Sequence, residues 1–231
     1  LNFLKSAPVK PMLKRIPFSA LVVLITLAVT LLFSNAVAAA PKPKAPKPKA
    51  PSGAINLGEL TKAFAGHCPK KTTGDVITCK DALPYINAAI KKYNLKTRGQ
   101  RAAYIANMAY EGAYLQYNHN LVNRSQGTRS IMPAVSLRTF VNANKSVQKF
   151  WPGFPKNVND NTIVDVLIKR RADFEPGAWW TVAGPGCAQV ASRLSGTQAS
   201  FIQWEKTCIN GGPETVAARA AIFKTVYAAI H

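Results

Sequence analysis

The sequence is short of acids. Its 231 residues include ten Asp plus Glu against 30 Lys plus Arg, a formal charge of +20. Any carboxylate working as an acid or base therefore comes from a short list. Cysteine (four) and histidine (three) are sparse as well. The intervals of 11 residues from Cys68 to Cys79 and 21 from Cys187 to Cys208 match no zinc pattern, so no metal is expected. There is neither a P-loop nor a dinucleotide fingerprint, and no cofactor is expected. No nucleophile elbow supports a Ser-His-Asp arrangement. Strand signals are weak and confined to about 113–135, and no internal repeat is visible. Apolar residues, by contrast, make up 48% of the chain, which excludes disorder of the whole.

The N-terminus is read as an export segment. Lys5, Lys10, Lys14 and Arg15 precede an uncharged, largely apolar run from Pro17 to Phe33. Ala36-Val37-Ala38 then supplies the small residues that a signal peptidase needs. Cleavage is expected after Ala38, in preference to Ala40, where Pro41 would follow. The alternative is an uncleaved signal anchor, because the run sits at the lower limit for spanning a bilayer. Residues 1–38 are assigned to this signal, and the domain is expected to be secreted, or anchored by that segment.

Residues 39–53 form a linker, with PKPKAPKPKAPSG at 41–53. Proline favours polyproline II and the lysines repel one another, so it should be extended and semi-rigid. It reads as a spacer, or as a tether to anionic polymers or lipid headgroups. Removing residues 1–52 takes away eight basic residues and no acid, leaving 22 basic and ten acidic residues, a net +12. Basicity thus belongs to the folded domain, 54–231, as well as to the tail.

In an exported chain four cysteines imply two disulfides. Cys68–Cys79 and Cys187–Cys208 are the local pairings, and crossed pairings would tie the two ends of the domain together. The domain reads as mainly helical. Asn56 and Glu59 have capping-box spacing, and so do Thr97 and Gln100. Helices are expected over Lys80 to Asn94, from Thr97 to a stop at Gly112, over Asn159 to Asp173, around Phe201 to Cys208, and from Pro213 to the end. A small β element is expected after Gly112.

Glu111 is the acid of most interest. It is the only carboxylate between Asp81 and Asp160, and it ends an apolar helix containing Tyr104, Ile105, Met108 and Tyr110. The helix macrodipole and partial burial both raise a carboxyl pKa there, as a general acid requires. A polar-aromatic patch follows: Tyr114, Gln116, Tyr117, Asn118, His119 and Asn120. Such side chains suit stacking on sugar rings and bonding to N-acetyl groups. A second carboxylate, usual in glycoside hydrolysis, would come from Asp160, Asp165, Asp173 or Glu175. Glu175 is favoured, because it precedes a loop, Pro176-Gly177-Ala178-Trp179-Trp180, whose Trp180 could wall a cleft.

The order of helix, terminal Glu111, Tyr-Asn segment and Gly-containing turn ending in Ile131-Met132 resembles the goose-type lysozyme and lytic transglycosylase superfamily. Gln126-Gly127-Thr128-Arg129 followed by Met132-Pro133, and Ala178-Trp179-Trp180 before Cys187, are similar to secreted fungal lysozyme-like muramidases. The resemblance runs from about Cys68 to the C-terminus. It departs from the superfamily pattern at Gly112-Ala113, where Ser-Gly is usual, and at Pro133, where Gln follows Met.

The resemblance implies an α+β lysozyme-like domain cleaving the glycan backbone of bacterial peptidoglycan. Glu111 would be the general acid, and Tyr117, Asn118, Gln126, Thr128 and Arg129 would shape the sugar subsites. The partner would be peptidoglycan or a related amino-sugar polysaccharide on an anionic cell wall, the protein a monomer, and the biology antibacterial or at a host surface. The alternative is a lysozyme-like fold without catalysis that binds glycan or anionic surfaces, and a further one is a chitinase or chitosanase. The export signal and paired cysteines argue against a nucleic-acid partner.

Overall fold

The computed structural model describes residues 53–231; the expected signal and nearly all of the linker lie outside the described residues. Ten α-helices make up the described chain: α1 Leu57–Ala63, α2 Cys79–Lys92, α3 Arg98–Glu111, α4 Ala134–Ala143, α5 Lys145–Gln148, α6 Ile163–Lys169, α7 Glu175–Ala183, α8 Cys187–Ala191, α9 Gln198–Trp204 and α10 Pro213–Ala229. A π-helical turn, Glu205–Ile209, continues α9. The protein is thus mainly α. None of the described helices is long and apolar enough to cross a membrane.

Local chemistry accounts for several helix ends. The Asn56 and Glu59 side chains each accept from the other's backbone N–H, and Thr97 and Gln100 do the same, so both capping boxes form. At α2, Thr78 accepts from the Asp81 N–H. Helix α6 begins at Ile163, where its apolar pattern starts, and not at the expected Asn159. The Asn159 side chain bonds the Asn161 N–H, and the Thr162 N–H bonds the Asn159 carbonyl, a turn that competes with helix. At 175–183 a helix replaces the expected loop, since Pro176 in a first turn loses no intrahelical hydrogen bond.

Helix α3 is the central element, buried along most of its length, including Tyr104, Ile105 and Met108. Its small residues allow close approach: a side chain at Gly99 would collide with the Leu194 carbonyl. Around α3 the larger apolar core gathers Leu60, Phe64, Ile86, Phe201, Trp204 and Phe223. A smaller core, with Leu137, Phe140, Trp151, Val164 and Leu167, belongs to the α4–α6 lobe. Trp180 of α7 packs against both.

Two expectations are corrected. No strand forms among the described residues after Gly112; only isolated bridges join His119 with Gly127 and Gly127 with Met132. Left-handed backbone at Ala113, Tyr114, Leu115, Thr128 and Ile131 interrupts any extended run. Of the two expected disulfides, Cys68–Cys79 is formed, with its Cα atoms 5.5 Å apart. Cys187 and Cys208 are buried free thiols. Each is influenced by the other, which pushes Cys187 down and Cys208 up. The Cys187 sulfur also points at the Pro185 carbonyl, 3.6 Å away.

Candidate functional site

Glu111 is the last residue of α3, where the chain must turn away at once. Gly112 makes that possible: a Cβ there would lie 3.1 Å from each of three carbonyls, those of Met108, Tyr117 and Arg129. Three consecutive left-handed residues, Ala113 to Leu115, complete the turn. The Glu111 carboxyl is left at the junction of two cavities. One, of about 150 Å³, is lined by Asn107, Ser130, Met132, Pro133, Trp180 and Ile209 among others. The second, of about 310 Å³, is lined by Tyr117, His119, Asn120, Leu121 and Val122. Glu111 and Ile131 line both, so the two cavities adjoin at these residues and are together called the groove.

Behind Glu111 stands Arg219 of α10. Its Nη2 donates to Glu111 Oε1 at 2.6 Å and its Nη1 to Asn107 Oδ1 at 2.7 Å. The guanidinium stacks on the Tyr110 ring, 4.1 Å from its centroid. Its Nε lies 3.0 Å from Glu205 Oε1, but that N–H donates to Thr215 Oγ1. Glu205 has no solvent exposure, and neither of its oxygens accepts a hydrogen bond. Burial pushes its carboxyl up to about 7, against the pull of Arg219 and with the help of the Glu111 charge. Burial raises Glu111 as well, opposed by Arg219.

Glu205 and Arg219 escape the sequence reading, although a signal for them exists. Arg219 lies on the apolar stripe of α10, three residues after Val216 and four before Phe223. Glu205 lies four residues after Phe201. A charge on a buried helical stripe requires a partner, and here the two partner each other.

The groove collects some of the expected residues and not others. Tyr117 and Trp180 are in its walls, and Trp180 is fixed by its Nε1 donating to the Cys208 carbonyl at 2.8 Å. Asn118, Thr128 and Arg129 are buried outside both cavity linings. Asn118 bonds the His119 ring at 2.9 Å. Arg129 pairs with Asp173 at 3.0 Å and donates to the carbonyls of Asp75, Leu115 and Tyr117, so it anchors the 113–132 segment. Gln126 braces the same segment through Asn120.

Glu175 is not brought to the groove. It begins α7, where it accepts from Lys92 Nζ at 2.5 Å and Tyr93 OH at 2.6 Å. Of the other acids, Asp160 pairs with Arg138 and Asp165 with His119. Among the described residues no group of His, Cys, Asp and Glu is arranged to hold a metal ion. No protein-family model, curated protein or solved structure matches the chain.

Proposed function

We propose that the protein is an exported, cationic glycoside hydrolase that cleaves the glycan backbone of peptidoglycan, on a lysozyme-like helical scaffold, with Glu111 as its general acid. The observation that carries this reading is the Glu111 carboxyl at the junction of two adjoining cavities, with its pKa raised by burial. A polymer lying along the groove would present a glycosidic oxygen there. Glu111 would protonate that oxygen as the bond breaks. Trp180 in one cavity and Tyr117 in the other would stack on sugar rings, and Asn107, Ser130 and Asn120 offer polar groups for hydroxyl and acetamido substituents. The domain's net +12 would concentrate it on anionic walls, less strongly as salt rises.

No second carboxylate lines the groove beside Glu111. A single-carboxylate route therefore suits the site, with attack on the sugar by its own acetamido or hydroxyl group. The test is digestion of purified peptidoglycan by the protein and by Glu111→Gln, with products read by mass spectrometry. Wild type should release fragments, and the variant should be at least about 100-fold slower. New reducing ends identify hydrolysis, and anhydro-sugar ends identify transglycosylation. Absence of products from folded wild type between about pH 4 and 8 would end the enzymatic reading.

A second reading is favoured by the Arg219 bond to Glu111, which stabilises the carboxylate and works against an acid role. In that reading the domain binds anionic glycan by charge alone. Its antibacterial effect then survives Glu111→Gln and fails in high salt.

A further inference from the structure

Arg219 is one cation facing two carboxylates; it and Glu205 are withdrawn from water, and Glu111 is only partly exposed, at the groove. With every group ionised the cluster carries one surplus negative charge, and Glu205 has no hydrogen-bond donor to stabilise it. A single proton on either carboxyl makes the cluster neutral. We infer that Glu205 is the positioning residue of the Glu111 site: it competes with Glu111 for the Arg219 guanidinium, so that the three side chains hold one exchangeable proton between them.

The geometry gives that proton two homes. In one arrangement Glu111 is ionised against Arg219 and Glu205 is protonated. In the other, Glu205 takes the guanidinium's charge and Glu111 holds the proton. Arg219 reaches both carboxylates from where it stands, 2.6 Å from Glu111 and 3.0 Å from Glu205. Only the second arrangement has an acid facing the groove. Without Glu205, Arg219 would serve Glu111 alone and hold it ionised.

The surroundings favour such an exchange. The titratable and charged groups facing Glu205 are Arg219 of α10, Glu111 of α3 and Cys208 of its own turn, with Cys187 of α8 beyond Cys208. None of these except Arg219 is cationic. The π-turn aims Glu205 inward, and Gly211 leaves room for it, since a Cβ there would lie 2.9 Å from Glu205 Oε1. The rise of the Glu205 carboxyl to about 7 agrees with one shared proton near neutral pH.

The role of Glu205 in catalysis rests on the glycosidase reading; the shared proton does not. The direct test is carbon-13 titration of the glutamate carboxyls in the full chain, wild type beside Glu205→Gln. In wild type the Glu111 and Glu205 resonances should each report two coupled steps. In Glu205→Gln the Glu111 midpoint should fall by about one pH unit or more, a tenfold change in proton affinity. Independent single-step curves in wild type, or a Glu111 midpoint unmoved within about 0.3 unit, would overturn the inference. If Glu205→Gln does not fold, Glu111→Gln gives the reciprocal reading, in which the Glu205 midpoint should fall and an unmoved one counts against sharing.

Activity separates the two proposals. Where glycan is cleaved, the alkaline limb of the Glu205→Gln rate profile should move to lower pH with KM unchanged. Coupled titration without any cleavage would retire the glycosidase and keep the shared proton; cleavage with uncoupled titration would do the reverse.

Discussion

Of the three arginines buried among the described residues, Arg101 bonds only backbone carbonyls, whereas Arg129 and Arg219 face carboxylates and are put to opposite uses. Arg129 faces one carboxylate, Asp173, at 3.0 Å, and donates as well to the backbone carbonyls of Asp75, Leu115 and Tyr117. Its charge is matched one to one, and its Nε and Nη1 donors are occupied. Arg219 faces two carboxylates, one of which accepts no hydrogen bond, and it stands behind a groove. A balanced, satisfied pair locks a loop in place. An arginine with one acid too many leaves a proton undecided, which is what a site of acid–base chemistry needs.

The contrast can be broken most forcefully at Arg129. Arg129→Met leaves Asp173 buried without its cation and the three carbonyls without their donor. The expected loss is about 3–5 kcal/mol of unfolding free energy, read by urea denaturation at neutral pH. A loss below about 1 kcal/mol would remove Arg129 from the role of anchor.

At the other arginine the comparison is sharpened by pH. The Glu205 carboxyl is raised in the fold from 4.5 to about 7, so the native state binds its proton more tightly than the unfolded chain does. The stability from that difference is full below about 4.5 and is lost as pH rises through about 7. Its size is on the order of 3 kcal/mol. Glu111 and Asp173 are raised too and act in the same direction. Wild type should therefore melt higher at pH 5 than at pH 7.5, with a visibly flatter dependence in Glu205→Gln. Equal slopes for the two proteins would show that Glu205 titrates alike in the folded and unfolded chains.

The smallest effect is expected at Glu175, which pairs with Lys92 and Tyr93 at the start of α7. Glu175→Gln keeps an acceptor for Tyr93 and loses a partly exposed ion pair. It should cost no more than about 1 kcal/mol and leave glycan cleavage unchanged. A tenfold or larger fall in cleavage would return Glu175 to the site.

Much of the helical framework was legible because its signals are local. Asn56 with Glu59 and Thr97 with Gln100 are three residues apart, and both boxes start helices where their spacing predicts. Glu111 was legible as the sole acid at the end of an apolar helix. The segment after Gly112 misled, since its aromatic and β-branched residues suggest extended chain while five left-handed residues fold it into turns. The resemblance puts Asn118, Thr128 and Arg129 at sugar subsites, which requires them exposed, yet each is nearly fully buried. Glu205 and Arg219 went unnoticed for the converse reason: each reads as a surface charge on a helix until its stripe is seen to face inward.

By itself the sequence determined the class of the fold, the starts of several helices, the excess of positive charge and the one acid isolated at a helix end. All of these depend on neighbours a few residues apart or on composition. Tertiary structure alone decided which charges meet. Arg219 reaches Glu111 across 108 residues of chain, and Asp173 reaches Arg129 across 44. The strength of such pairs depends on how much water the packed helices exclude, and that is a property of the assembled core which no local stretch of sequence contains.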